Sequence, residues 1–160
     1  QELVEKTGFD CVLTGLYGNQ VIDTHREYSS NPAELHYGRG RPRPLFLGGA
    51  PKVMLANLAP HALHKLFDQH AAEIAQAGLP SDWAEFRKFY SAIRKTGYYY
   101  SNGELEPHLA ALAAVVQKAD GSVLGALSLV APVKRMAVID LPKMAELVMR
   151  AARDISARVS

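Results

Sequence analysis

The chain has 160 residues, 48% of them hydrophobic and 21% charged, with a formal net charge of +2. That length suits one compact domain with its own core, and the composition excludes a disordered chain. So mild a charge argues against a surface given over wholly to nucleic acid.

The opening QELVEKTG reads as the last turns of a helix closed by Gly8. With no initiator Met, it predicts that further chain lies N-terminal to Gln1. Phe9–Tyr17 and Val21–Glu27 flank the turn-forming pair Gly18-Asn19 and predict a β-hairpin. Asn31 to Pro44, broken by prolines and glycines, predicts a loop with at most a short strand near Leu35. Gly49 to Asn57 reads as a short helix, and Pro60–Ala77 as a second, ended by Gly78-Leu79-Pro80. Asp82 and Glu85 have the spacing of a capping box. Trp83, Phe86, Tyr90 and Ile93 then form the stripe of an amphipathic helix that stops at Gly97. Tyr98–Tyr100 predicts a short strand. Leu109–Gln117 and Ser122–Val130, joined through Asp120-Gly121, predict a second hairpin. Met144, Leu147, Val148, Ala151, Ile155 and Val159 share one face of a helix over Asp140 to Val159. Antiparallel hairpins with helices between and after them give an α+β domain, a sheet with helices on its faces.

Cys11 is the single cysteine, so no internal disulfide can form, which favours a reducing, cytoplasmic setting. The longest apolar run, at 123–133, is too short to span a bilayer, which takes about 20 residues. No membrane partner is expected.

The stretch HYGRGRPRPLFLGGAPK, His36 to Lys52, allows three readings: a basic arm for nucleic acid, a phosphate-cradling loop, or a pocket lip. GGAPK lacks the Walker A spacing, and no GxGxxG precedes a helix, which favours packing or a pocket wall. No aromatics interleave with Arg39, Arg41 and Arg43, which counts against single-strand binding. The arginines remain able to meet a phosphate or a ligand carboxylate, or to form a solvated loop or a subunit contact. His61-x-x-His64 has helical spacing but no completing ligands, so solvated surface is the expectation. Glu104 and Glu106 also read as solvated loop carboxylates. No nucleophile motif stands out; neither catalysis, nor a metal, nor a cofactor is expected.

The second hairpin narrows the site. With Asp120-Gly121 as turn residues, Ala111 faces Val130 and Ala113 faces Ser128, with Leu109 farther along the same face. Ala111, Ala113, Ala126, Ser128 and Val130 leave room against the sheet. The filler is either a bulky helix, such as Trp83 to Lys95, or a small ligand with Ser128 as a polar group in an apolar wall.

Gly97 to Arg135 resembles the C-terminal part of the isocitrate-lyase-regulator (IclR) family of bacterial transcription regulators. The resemblance rests on Gly97-Tyr98, Gly103-Glu104, Ala113-Ala114, Asp120-Gly121, Ala131-Pro132 and Arg135. Gly40 to Ala56 is similar to the family segment that leads through a Gly-rich turn and a Lys into a helix. The resemblance covers the whole chain and is weaker before Asn31. It implies a GAF-like (profilin-like) fold, with a curved antiparallel sheet flanked by helices around a small-molecule site. It also implies a winged helix-turn-helix, absent from this chain, that precedes the domain and binds promoter DNA as a dimer or a dimer of dimers. Effector contacts implied by the family fall on Leu35, Gly49, Ala50, Ser101, Leu109, Ala111, Ser128 and Val130. Phe46-Leu47-Gly48, Pro51 and Pro107-His108 depart from the family pattern. Ser101, Ala111 and Val130 replace polar pocket positions, so a more apolar pocket is expected, for an organic acid or an aromatic compound. A stand-alone GAF-like sensor or enzyme, and a dimerisation domain without ligand, are the competing readings.

Overall fold

The structure is a computed structural model and describes residues 1–33 and 42–159. In chain order the elements are α1 Glu2–Thr7, β1 Asp10–Tyr17, β2 Gln20–Glu27, β3 Pro42–Arg43, α2 Gly49–Ala56, α3 Pro60–Gln69 and α4 Ala71–Gln76. They continue with α5 Trp83–Thr96, β4 Tyr99–Asn102, β5 Leu109–Gln117, β6 Val123–Pro132, α6 Val133–Met136 and α7 Leu141–Val159. The strands form one six-stranded sheet in the order β3-β2-β1-β6-β5-β4. Every pairing is antiparallel. The α+β class and the sheet flanked by helices are as the sequence predicts.

Local chemistry sets most boundaries. The first hairpin turns through two residues, with Tyr17 paired to Gln20. Asp82 caps α5 by accepting the Glu85 N–H at 3.1 Å, and Gly97 closes that helix with its N–H on the Ile93 carbonyl. Two boundaries differ from expectation. The helix foreseen over Pro60–Ala77 breaks at His70, so α3 and α4 are separate, although Leu63, Leu66 and Ile74 enter one core. The four-residue α6 carries too little periodicity to be read from sequence, yet it buries Met136.

The β5–β6 register sets Ala111 opposite Val130 and Ala113 opposite Ser128. The turn is longer than two residues: the Lys118 N–H donates to the Ser122 carbonyl at 2.9 Å, and a bulge lies between Val116 and Gln117. The bulge absorbs the longer turn, so the pairing below it is unchanged.

Side chains alternate across a strand, so the hairpin has two faces. Ala110, Leu112, Ala114, Leu127, Leu129 and Ala131 pack with Leu3 and Val4 of α1 and with Ala145, Val148 and Ala152 of α7. On the other face Ala113 and Ala126 lie in a core with α2 and with Phe86, Tyr90 and Ile93 of α5. The helix against the small residues is therefore α2, with α5 packed on it. The sequence pointed to Trp83–Lys95 because its apolar stripe is conspicuous. What decides the order is size: a Cβ on Gly49 would come 3.2 Å from that of Ala113 and 3.5 Å from that of Ala111. A helix opening on glycine comes closer to a sheet than an aromatic stripe can.

Candidate ligand site

Beyond the first turn of α2 the same sheet face is left open. Val12 of β1, Ser101 of β4, Leu109 and Ala111 of β5 and Val130 of β6 form a floor. Asp23, Arg43, Gly48, Leu105 and Glu106 stand around it. The recess holds about 440 Å³ of atom-free space, open solvent at its mouth included. Its walls stand close, however, and the cavity between them is only about 30 Å³. A larger guest has to part them.

The walls are tied by charge. All eight residues of α2 are buried, Lys52 among them at 2% exposure. A buried ammonium demands acceptors. Lys52 Nζ donates to the Phe46 carbonyl at 2.8 Å and to Glu104 Oε1 at 2.5 Å. The same oxygen accepts the Gly48 N–H at 3.3 Å, and the Tyr99 hydroxyl donates to Glu104 Oε2 at 2.5 Å. Glu104 thus joins α2, the turn before it and β4 to the loop that carries Leu105 and Glu106. Burial lowers the Lys52 pKa, against the opposing pull of Glu104. Burial, and then donation to Glu104, raise that of Tyr99.

Arg43 and Asp23 form a second pair, Nη1 to Oδ1 at 2.8 Å, and Asp23 also accepts the Thr14 hydroxyl at 2.8 Å. Gly48 has φ 97°, a left-handed backbone that suits glycine. A Cβ there would lie 3.0 Å from Arg43 Nη2. Beside the recess, Asp10 accepts the N–H groups of Ser29 at 2.8 Å and Ala33 at 2.9 Å, and the Arg26 guanidinium. Burial alone would raise the Asp10 pKa. The Arg26, Ser29 and Ala33 bonds outweigh it and hold the carboxyl below its ordinary value. This brings Ala33 against Val12, Leu109 and Val130. Cys11 is buried, and its thiol is pushed up to about 11, chiefly by burial.

Of the residues singled out from sequence, Ser101, Leu109, Ala111 and Val130 border the recess. Gly49 sits one residue beyond the lining Gly48, packed on Ala111. Ala50 lies within the core under α2. Ser128 lies on the floor's face between Ala113 and Val12 and is 3% exposed; its Oγ has no partner among the described residues. Leu35, Arg39 and Arg41 fall outside the described residues.

The sequence did not single out Val12, Asp23 or Leu105. It misread Glu104 and Glu106 as solvated, whereas Glu106 is 4% exposed and Glu104 holds Lys52. An acidic pair in a loop has no periodicity to betray burial. The available signal was Lys52 itself, the single charge in an otherwise apolar helix, which calls for a carboxylate partner. His64 lies away from the recess, stacked on Trp83 with ring centroids 4.1 Å apart.

Fold and recess define a small α+β domain with a narrow, mainly apolar recess on a half-covered sheet face. Residues 1–157 match the family described as the bacterial transcriptional regulator IclR C-terminal domain. The HTH-type transcriptional regulator BhcR of Paracoccus denitrificans is 26% identical over 156 residues, which cover 98% of this chain and 56% of that protein. An IclR-family regulator from Rhodococcus sp. is 26% identical with a TM-score of 0.81, over 98% of this chain and 59% of its own. Pseudomonas aeruginosa HmgR, at 24% identity and a TM-score of 0.79, shares the fold over 98% of this chain and 62% of its own. The chain therefore belongs to the IclR family of bacterial transcriptional regulators, to which it corresponds as a C-terminal domain. It spans about half the length of the curated relative it matches.

Proposed function

We propose that this domain is the effector-sensing part of a cytoplasmic IclR-type regulator and carries out no catalytic step. The effector is an organic acid or an aromatic compound, held by Ser101, Leu109, Ala111 and Val130, with Gly49, Ala50, Ser128 and Leu35 as the further contacts that the family resemblance implies. Promoter DNA is bound by a winged helix-turn-helix preceding the domain, within a homodimer or tetramer. Effector binding changes operator affinity through that assembly, a coupling between distinct sites.

The observation that carries this reading is the convergence of Ser101, Leu109, Ala111 and Val130, from three strands, on one recess. An apolar floor with a few polar groups at its rim suits a small ligand with an apolar body. The close walls imply that binding parts them, and this opening is the event an effector can transmit. Differential scanning fluorimetry with aromatic and short-chain acids tests the proposal. A ligand at a hundred times its Kd adds about 2.7 kcal/mol, which raises Tm by roughly 5–10 °C in a domain of this size. Absence of any shift across the panel would contradict it.

A further inference from the structure

Arg43 enters the recess from β3, where it pairs with Val21 between two prolines. Its side chain is nine-tenths buried, at 10% exposure. Nη1 is engaged by Asp23, and Nη2 lies beside Gly48. Nε is buried and has no acceptor among the described residues. A buried guanidinium N–H without an acceptor is costly, and native structures rarely leave one. Nε and Nη2 share one edge of the planar fork, and that edge takes a carboxylate through two parallel hydrogen bonds. Gly48 has no side chain to cover it.

We infer that Arg43 is the anion anchor of the recess and makes it selective for monocarboxylates. The ligand carboxylate sits on the Nε–Nη2 edge while Asp23 keeps Nη1. The remainder of the ligand lies on Leu105, Leu109 and Val130. A second carboxylate is disfavoured, because Arg43 is the one cation among the described residues that line the recess, and a second buried anion would lack a counter-charge. This inference rests on the ligand-binding reading above and adds the ligand's charge and the residue that reads it.

The test uses the 160-residue chain and three matched probe sets, read by calorimetry and thermal shift. The monocarboxylates are benzoate, phenylacetate and butyrate; the neutral isosteres are their primary amides; the dicarboxylates are terephthalate and succinate. At least one monocarboxylate is expected to bind, with its amide and the dicarboxylate of like shape about tenfold weaker or more, the scale of a charge-assisted hydrogen-bond pair. Arg43→Lys keeps the charge but loses the fork, and should cost about tenfold in acid affinity and distinctly less in amide affinity. Arg43→Gln combined with Asp23→Asn removes the pair together and should erase the preference for acid over amide. Should that double variant fail to fold, the acid–amide comparison on the native chain and Arg43→Lys still decide. Amides binding as tightly as acids, or acid affinity indifferent to Arg43→Lys, would overturn the anchor and leave the ligand site standing. No binding by any acid or amide would overturn both.

Discussion

The two faces of the β5–β6 hairpin are made by the same two strands, of nine and ten residues, yet they do different work. Toward α1 and α7 the alternating Ala, Leu and Val side chains meet a sealed apolar layer, with Leu112, Leu129 and Val148 fully buried. Toward α2 the side chains are smaller, and beyond Ala113 the layer gives way to a recess rimmed by Arg43, Asp23 and Glu106. The first face should therefore serve stability alone, while the second packs α2 at one end and recognises ligand at the other. Because a strand's period is 2, neighbouring residues one position apart fall on opposite sides of that division.

The largest effect is expected on the sealed face. Leu129→Ala leaves a cavity and should cost about 2–5 kcal/mol, read from the urea midpoint. Ligand affinity, measured where the variant is still folded, should be unchanged. A loss of affinity without loss of stability would invert the division.

A smaller effect is expected at the border between the faces. Asp10→Asn removes the charge and one of the two acceptor oxygens that tie Ser29, Ala33 and Arg26 together, at a cost of about 2–3 kcal/mol. The Asp10 carboxyl is held below its ordinary value of 3.8 in the folded chain. Its contribution is therefore fully present above about pH 4, the ordinary carboxylate value, and is lost as pH falls through the lower, folded value. Native protein should show a steeper acid-induced loss of stability than Asp10→Asn in the same pH range. Equal slopes would show that Asp10 contributes nothing through its charge.

The smallest effect on stability, and the largest on binding, belongs to the open face. Ala111→Leu extends a side chain into the recess and should alter stability by about 1 kcal/mol. The ligand-induced Tm shift should disappear. A shift that survives would place the ligand elsewhere.

The sequence carried the floor of the site and much less of its walls. Hairpin alternation placed Ala111 against Val130 and Ala113 against Ser128, because the pattern of small residues is periodic and local. The walls come from Asp23, Arg43, Gly48, Leu105 and Glu106, which lie far apart in the chain and meet only once the sheet curls. Nothing periodic marks them. Trp83–Lys95 came forward as an example of a covering helix, and α2 did not, for a related reason: an aromatic stripe is visible in a sequence, whereas the close approach permitted by Gly49 is visible only in three dimensions.

Methyl-resolved NMR of the chain, titrated with the tightest monocarboxylate from the probe sets, tests the division most directly. Large shifts are predicted at the methyl groups of Val12, Leu105, Leu109, Ala111 and Val130, with Leu112, Ala114, Leu127 and Leu129 nearly unmoved. Shifts concentrated on Leu112, Ala114 and Leu129, or spread evenly over both sets, would contradict the assignment of ligand recognition to the open face.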